Sequence, residues 1–499
     1  MFSSNVLIGR TAVRPYILTL IVLGIGTFLR FHALDRQSLW DDEMSTLQTI
    51  STPRSELIHR FQTYEIHPPL YFFQMKLWQK AGARSLVNFR ANSACWGTLS
   101  LLLIFLLGRR YGGPWAGLWA SAYAAFSPYH LSYSQEIRPY ALAIVIALAA
   151  LLVLEQVVIG DVVAFLPYWR KKTIRQKGNY VPYVPYVSLW VILTILWTAQ
   201  FFTHYWGAFV VSAQALYAWT RLLERPARMR LLRSVLIAGG LFCLWLPILL
   251  AQMEVVPALS FWVPRFSFAS LLQTFGAFSG IYFNMASSTF YLPTVTGIFA
   301  LLALAHGLAL VHGLRRGPSA LRYWLCVGLA IPCLISLWKP AIFLWYRYTF
   351  HLYPAFCLLL VLGALRWRPR ALGILLLATC LGTQLWGSAI YFTRWQKANP
   401  KAVVSYIHWL RQPESIVVRP FYFARLFQFY DQGTLPVIDQ HLLDSVEKRA
   451  ALKGKKIILV AFNVPYDPVT DALLSEFKVV SAQNFPGLAR LGITVYQLE

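Results

Sequence analysis

ALGILLLATCLGTQLWGSAIYFT, residues 371–393, runs for 23 positions without an Asp, Glu, Lys or Arg. An uncharged apolar stretch of ~18 residues or more is long enough to cross a bilayer as a helix. Comparable runs lie at 178–203 and 234–253. Across its 499 residues the chain is 57% hydrophobic and 13% charged. A soluble domain carries roughly 25% charge. These features exclude a soluble globular protein and predict an all-α polytopic membrane protein.

Reading outward, the apolar spans are predicted at 15–29, 90–107, 114–130, 139–159, 187–203, 205–220, 234–253, 291–313, 323–338, 348–365 and 371–393. That is about eleven transmembrane helices. The first lacks a small-residue cleavage site and reads as a retained span rather than a signal peptide. Alternation puts Arg10 and Arg14, Arg109 and Arg110, Arg170–Lys177, Arg221–Arg233, Arg315–Arg322 and Arg366–Arg370 on one side. Such a bias marks that side as cytoplasmic. It also accounts for the net charge of +25, which in a soluble chain would point to nucleic acid. The opposite, extracytoplasmic face receives 31–89, 132–138, His204, 254–290, 339–347 and the tail after Arg394. Amphipathic juxtamembrane helices are expected in the first extracytoplasmic loop, with Pro68–Trp78 as an interfacial helix, and Phe266–Phe290 is also expected to lie along the surface. The six cysteines all fall in apolar runs, which argues against disulfides and a zinc cluster.

Residues 395–499 change character. Ser415–Val418, Lys456–Phe462 and Ile493–Gln497 read as strands, and Lys401–Arg411, Tyr422–Tyr430 and Leu442–Leu452 as helices. The expected organisation is a transmembrane catalytic domain over 1–394 and a small extracytoplasmic α/β domain over 395–499.

The chemistry-bearing residues gather at the predicted extracytoplasmic ends of the spans. Trp40-Asp41-Asp42-Glu43 follows the first span. An isolated acidic triplet is ordinarily solvated, but beside a membrane exit partial desolvation raises a carboxylate toward a working base. Glu65-Ile66-His67-Pro68-Pro69-Leu70-Tyr71 holds His67 at headgroup level, where paired prolines start a helix. Tyr133–Tyr140 carries Glu136 and Arg138 at the start of a span. His204 breaks two apolar runs, and Arg347 sits between Tyr346 and Tyr348. Each has an ordinary structural reading: an anchor, a cap or an ion pair. Carboxylates and cations together on one face suit a polar reaction on a phosphate-bearing lipid.

At these residues the sequence resembles the GT-C glycosyltransferases, in the bacterial group related to protein O-mannosyltransferases and lipid A aminoarabinose transferases. The resemblance rests on Asp42-Glu43, His67–Tyr71, Ser134–Tyr140, Thr203-His204-Tyr205 and Arg347-Tyr348 before Pro354, in order over about residues 10–393. It implies a polyprenyl-phosphate-linked sugar donor, an extracytoplasmic acceptor (lipid, glycan or protein), and a bacterial inner-membrane location. It further implies that Asp42 acts as base with Glu43 beside it, and that Arg138, His67 and Arg347 hold the lipid phosphate. Glu65, Glu136, His204 and Tyr348 complete the substrate-binding set. His67 stands where the aminoarabinose enzymes tend to have lysine, and the additional Asp41 is a second candidate base. A divalent cation, Mg or Mn, would be held by Asp42 and Glu43 if the reaction uses one. The expected function is an inverting, monomeric glycosyltransferase with no nucleic-acid partner. The rivals are a non-catalytic transporter or flippase of lipid-linked sugars and a glycan polymerase.

Overall fold

The computed structural model describes residues 2–165, 186–259, 266–281, 296–339, 342–344, 347–393, 399–420, 423–462, 467–485 and 492–499. The basic run Arg170–Lys177, the start of the span predicted at 291–313, the end of the surface segment Phe266–Phe290, and Tyr346 lie outside the described residues. The described residues fall into two compact units. Those of Met1–His32, Thr49–Tyr282 and Val295–Ser388 form the first, and those of Ala33–Gln48 and Ala389–Glu499 the second.

Each predicted apolar stretch carries helix. Five helices among the described residues are long and apolar enough to cross a membrane: Val13–Phe31, Leu86–Gly112, Tyr140–Gly160, Ser319–Ser336 and Arg370–Thr393. Arg225–Cys243 and Leu246–Val255, bent by 61°, make a sixth if they form one span. The other stretches are shorter or broken, so the predicted number of complete spans is not reached by length and composition. The chain is a multi-pass membrane protein.

In the first unit, α1 (Phe2–Phe31) packs on α5 (Leu86–Gly112) and α6 (Pro114–Ala125). The α5–α6 turn is tight because Gly113 takes φ +83°, which its lack of a side chain permits, and Pro114 opens the next helix. The short helix α7 (Pro128–Ser134) is capped by Ser127, whose Oγ accepts from the His130 amide at 3.3 Å. Then come α8 (Tyr140–Phe165), α9 (Tyr186–Thr203), α10 (Gly207–Arg221), α11 (Arg225–Cys243), α12 (Leu246–Leu259) and α13 (Phe268–Phe278). They are followed by α14 (Thr296–Arg316), α15 (Ser319–Ser336), α16 (Tyr353–Leu365) and α17 (Arg370–Thr393). Gly313 of α14 and Gly363 of α16 let two backbones touch: a Cβ on Gly313 would strike the Leu359 carbonyl, and one on Gly363 the Ala309 carbonyl. Small residues at such crossings supply the close packing that replaces the hydrophobic effect in lipid. Between α1 and α5 in the sequence come three short helices: α2 (Asp41–Ser51), which belongs to the second unit as far as Gln48, then α3 (Leu57–Thr63) and α4 (Leu70–Lys80). The last is helical where a helix was predicted after the paired prolines, and α13 lies within the segment Phe266–Phe290.

The second unit contains a five-stranded sheet of order β2-β1-β3-β5-β4. Its strands are β1 (Ile416–Arg419), β2 (Val437–Asp439), β3 (Ile457–Phe462), β4 (Val479–Phe485) and β5 (Ile493–Leu498). β1 pairs parallel with β2 and β3, and β5 runs antiparallel between β3 and β4. The helices α18 (Pro400–Leu410), α19 (Ala424–Asp431), α20 (Val446–Ala450) and α21 (Pro468–Glu476) complete it. Its core is Val418, Leu443, Leu452, Ile457, Leu459, Leu473, Phe477 and Leu498. Arg449 forks onto Glu476 with Nε at 2.9 Å and Nη2 at 2.8 Å. The six cysteines are free.

Candidate active site

The first unit gathers most of the candidate residues into one buried cluster. Glu65 and His67 lie in the turn between α3 and α4, with Pro68 and Pro69 directing the chain into α4. The Nδ1 of His67 stands 2.8 Å from Glu65 Oε1, and Arg138 Nη2 lies 2.9 Å from the same nitrogen. Arg138 belongs to the short connection from α7 to α8, where its amide donates to the Glu136 carbonyl at 2.7 Å. Ser93 Oγ, from α5, donates to the same carbonyl at 2.5 Å, fixing the connection against that helix. Glu65, His67, Glu136, Arg138 and Arg347 are all buried. Ionised groups removed from bulk water interact far more strongly than exposed ones, and burying them is costly unless they are paired.

His204 occupies the break between α9 and α10. Gly207 makes the break possible, since a Cβ there would meet the Gln200 carbonyl at 2.5 Å. The Trp206 amide donates to His204 Nδ1 at 3.1 Å, which leaves the proton of the neutral ring on Nε2. That nitrogen is buried with no hydrogen-bond partner among the described residues. The ring lies 5.1 Å from His67, 5.7 Å from Tyr140 and 4.8 Å from Phe350. Phe350 begins a single 3-10 turn just after Arg347, and the Tyr348 ring lies 4.8 Å from that of Trp206, tilted by 33°. The segments of Glu65, Arg138, His204 and Arg347 therefore converge although they are far apart in sequence. The cluster offers guanidinium and imidazole donors inside an aromatic surround, a combination suited to a phosphate on an apolar chain.

Reading the sequence did not single out Gln252. Its Nε2 donates to the carbonyls of Phe61 at 2.8 Å and Glu65 at 2.7 Å, and its Oε1 accepts from the Tyr205 hydroxyl. It thereby ties α12 to the turn that carries Glu65 and His67. A polar amide near the end of the long apolar run 234–253 is the signal that could have found it.

Asp41, Asp42 and Glu43 belong to the second unit, where they form the first turn of α2. They were expected in a loop. Carboxylates at a helix N-terminus face the positive end of its dipole, which explains why the helix starts here. Asp41 is exposed, Asp42 half-buried and Glu43 buried. The dense protein around its carboxyl, then repulsion from Asp42, pushes Asp41 up to about 7, with Arg425 opposing. Water screens part of that push at an exposed side chain. Among the described residues no three His, Cys, Asp or Glu side chains converge as a metal ion would need.

No protein-family profile matches the chain, and no curated protein is similar to it in sequence. Solved structures are similar in fold. ArnT from Cupriavidus metallidurans in the apo state aligns over 96% of this chain and 97% of its own, at 13% identity and a TM-score of 0.51. AglB, the oligosaccharyltransferase of the archaeon Archaeoglobus fulgidus, solved with an inhibitory peptide and a dolichol-phosphate, aligns over 89% and 69% at 12% identity and a TM-score of 0.49. The Saccharomyces cerevisiae protein O-mannosyltransferase Pmt1-Pmt2 complex bound to the sugar donor aligns over 49% and 34% at 15% identity and a TM-score of 0.34. These neighbours are GT-C glycosyltransferases, the group the sequence resembles. The likeness to ArnT shows a shared fold.

Proposed function

We propose that the chain transfers one sugar from a polyprenyl-phosphate carrier to an acceptor outside the cytoplasm. The acceptor oxygen attacks the anomeric carbon, the bond from that carbon to the phosphate oxygen breaks, and polyprenyl phosphate leaves with the electron pair. The acceptor proton passes to Asp42, with Glu43 beside it and Asp41 as the alternative base. A single displacement of this kind inverts the anomeric centre. Arg138, His67 and Arg347 bind the phosphate, and His204 donates its Nε2 proton to a phosphate oxygen. Glu65 orients His67, Glu136 shapes the Arg138 connection, and Tyr348 lines the aromatic surround.

The observation that carries this reading is the buried Arg138–His67–His204 cluster, in which a histidine donor lacks a partner among the described residues. The GT-C fold and the Asp42-Glu43 pair after the first span support it. Asp42 and Glu43 would also be the ligands of a divalent cation, whose chemistry would be to neutralise phosphate charge. In this reading all eleven predicted stretches enter the membrane in a bacterial inner membrane, with the N-terminus cytoplasmic and residues 395–499 outside. The protein works as a monomer. Against a transporter stands the placement of the ionisable residues in short connections at helix ends, rather than midway along broken spans.

The test is the lipid that stays with the protein through mild extraction. Mass spectrometry should find a polyprenyl phosphate or its sugar ester in the parent protein. Only ordinary phospholipids in the purified protein would count against the assignment.

A further inference from the structure

The second unit contains both the acidic helix as far as Gln48 and the C-terminal sheet, although every span after the first separates the two in sequence. Three contacts inside that unit bracket the acidic turn. Ahead of it, the Ser38 hydroxyl donates to Asn399 Oδ1 at 2.6 Å, and the Leu39 amide donates to the Tyr430 hydroxyl at 2.8 Å. Behind it, Arg425 Nη1 donates to Gln48 Oε1 at 3.2 Å. Asn399 is itself fixed, because the same Oδ1 caps α18 by accepting from the Ala402 amide at 3.1 Å. Arg425 and Tyr430 both stand on α19. Ser38 and Leu39 are buried, so neither bond competes with bulk water.

We propose that the C-terminal domain is the mount of the acidic helix, with Asn399, Tyr430 and Arg425 as positioning residues for Asp41, Asp42 and Glu43. A general base must sit within a few tenths of an ångström of its working place, and a displacement of ~1 Å costs on the order of a hundredfold in rate. Residues 33–40 contain no α-helix of their own to hold the acidic turn. The anchors at 38, 39 and 48 supply that constraint from a folded sheet domain. The tail is then a working part of the enzyme. The catalytic consequence rests on the transferase reading above; the mount does not.

The experiment uses the full chain in lipid nanodiscs, comparing the parent with a Tyr430→Phe/Asn399→Ala double variant and with Tyr430→Phe/Asn399→Asp. The aspartate keeps the oxygen that accepts from Ser38 and Ala402. Two quantities are read: amide hydrogen exchange by peptide, and transfer kinetics. In the Asn399→Ala double variant, exchange over 38–51 should quicken about fivefold to tenfold, with 57–80 unchanged. The kcat should fall about tenfold at unchanged KM for donor, since the donor phosphate is bound elsewhere. The Asn399→Asp double variant should recover part of both. Unchanged exchange over 38–51 would overturn the mount, and quickened exchange with unchanged kcat would overturn its role in catalysis. A parent that transfers no sugar would refute the transferase reading, and exchange would then decide the mount alone.

Discussion

Replacing Arg138 by methionine keeps most of the side-chain length and removes its charge. Arg138 is 3% exposed and approaches His67 Nδ1 to 2.9 Å. A charge-assisted contact to a phosphate is worth about 1.5–3 kcal/mol. At ~1.4 kcal/mol per factor of ten, its loss should raise the Kd for polyprenyl phosphate about 10- to 150-fold. The same change takes the guanidinium partner away from buried His67, so the melting temperature should fall as well. Arg138→Lys separates the two effects: it restores the charge but lacks the planar fork, and should recover stability while still binding about tenfold more weakly than the parent. The assay is equilibrium binding of a labelled polyprenyl phosphate to protein in nanodiscs, with melting followed in the same samples. An Arg138→Met protein that stays folded and binds within twofold of the parent would show that Arg138 is only a helix-end anchor.

Asp42→Asn keeps the size of the side chain but cannot take a proton, so transfer should fall by roughly two to four orders of magnitude with donor binding near normal. Asp41→Asn should be milder; the reverse order of effects, measured as sugar transfer in reconstituted membranes, would move the base by one residue. Gly363→Val drives a side chain into the Ala309 carbonyl and should destabilise the α14–α16 pair by at least about 1–3 kcal/mol, read as a lowered melting temperature. A reporter active only in the cytoplasm, fused after Glu499, should stay silent; a strong signal would reverse the proposed topology.

The apolar stretches were legible because lipid demands uncharged helices, and each predicted stretch carries helix although several are short or broken. Where they break was harder to see. Pro128 lies within the stretch predicted at 114–130, yet it opens α7 and so begins the turn toward Glu136 and Arg138, whereas the break at His204 was visible between two apolar runs. The helix α2 escaped notice because Ser45, Thr46, Thr49 and Ser51 lower its intrinsic propensity, while the stabilising carboxylates read first as chemistry. In the tail, the β-branched and buried strands β1, β3 and β5 were evident. The three-residue β2 and the mostly exposed β4 were not, since neither shows an alternating apolar face. Asp467-Pro468 is a start signal for α21 that went unread. The candidate residues Glu65, His67, Glu136, Arg138, His204 and Arg347 could be chosen by type and by their place at span ends. Their convergence depends on helix packing, and Gln252 enters only through that packing.

Incubating the purified protein with a polyprenyl-phosphate sugar labelled in the sugar, in the presence of membranes as an acceptor source, tests the central claim most directly. The account predicts that label leaves the lipid, that an equal amount of free polyprenyl phosphate appears, and that Asp42→Asn does neither. Intact labelled donor that only changes leaflet, with no polyprenyl phosphate released, would contradict it and identify a transporter.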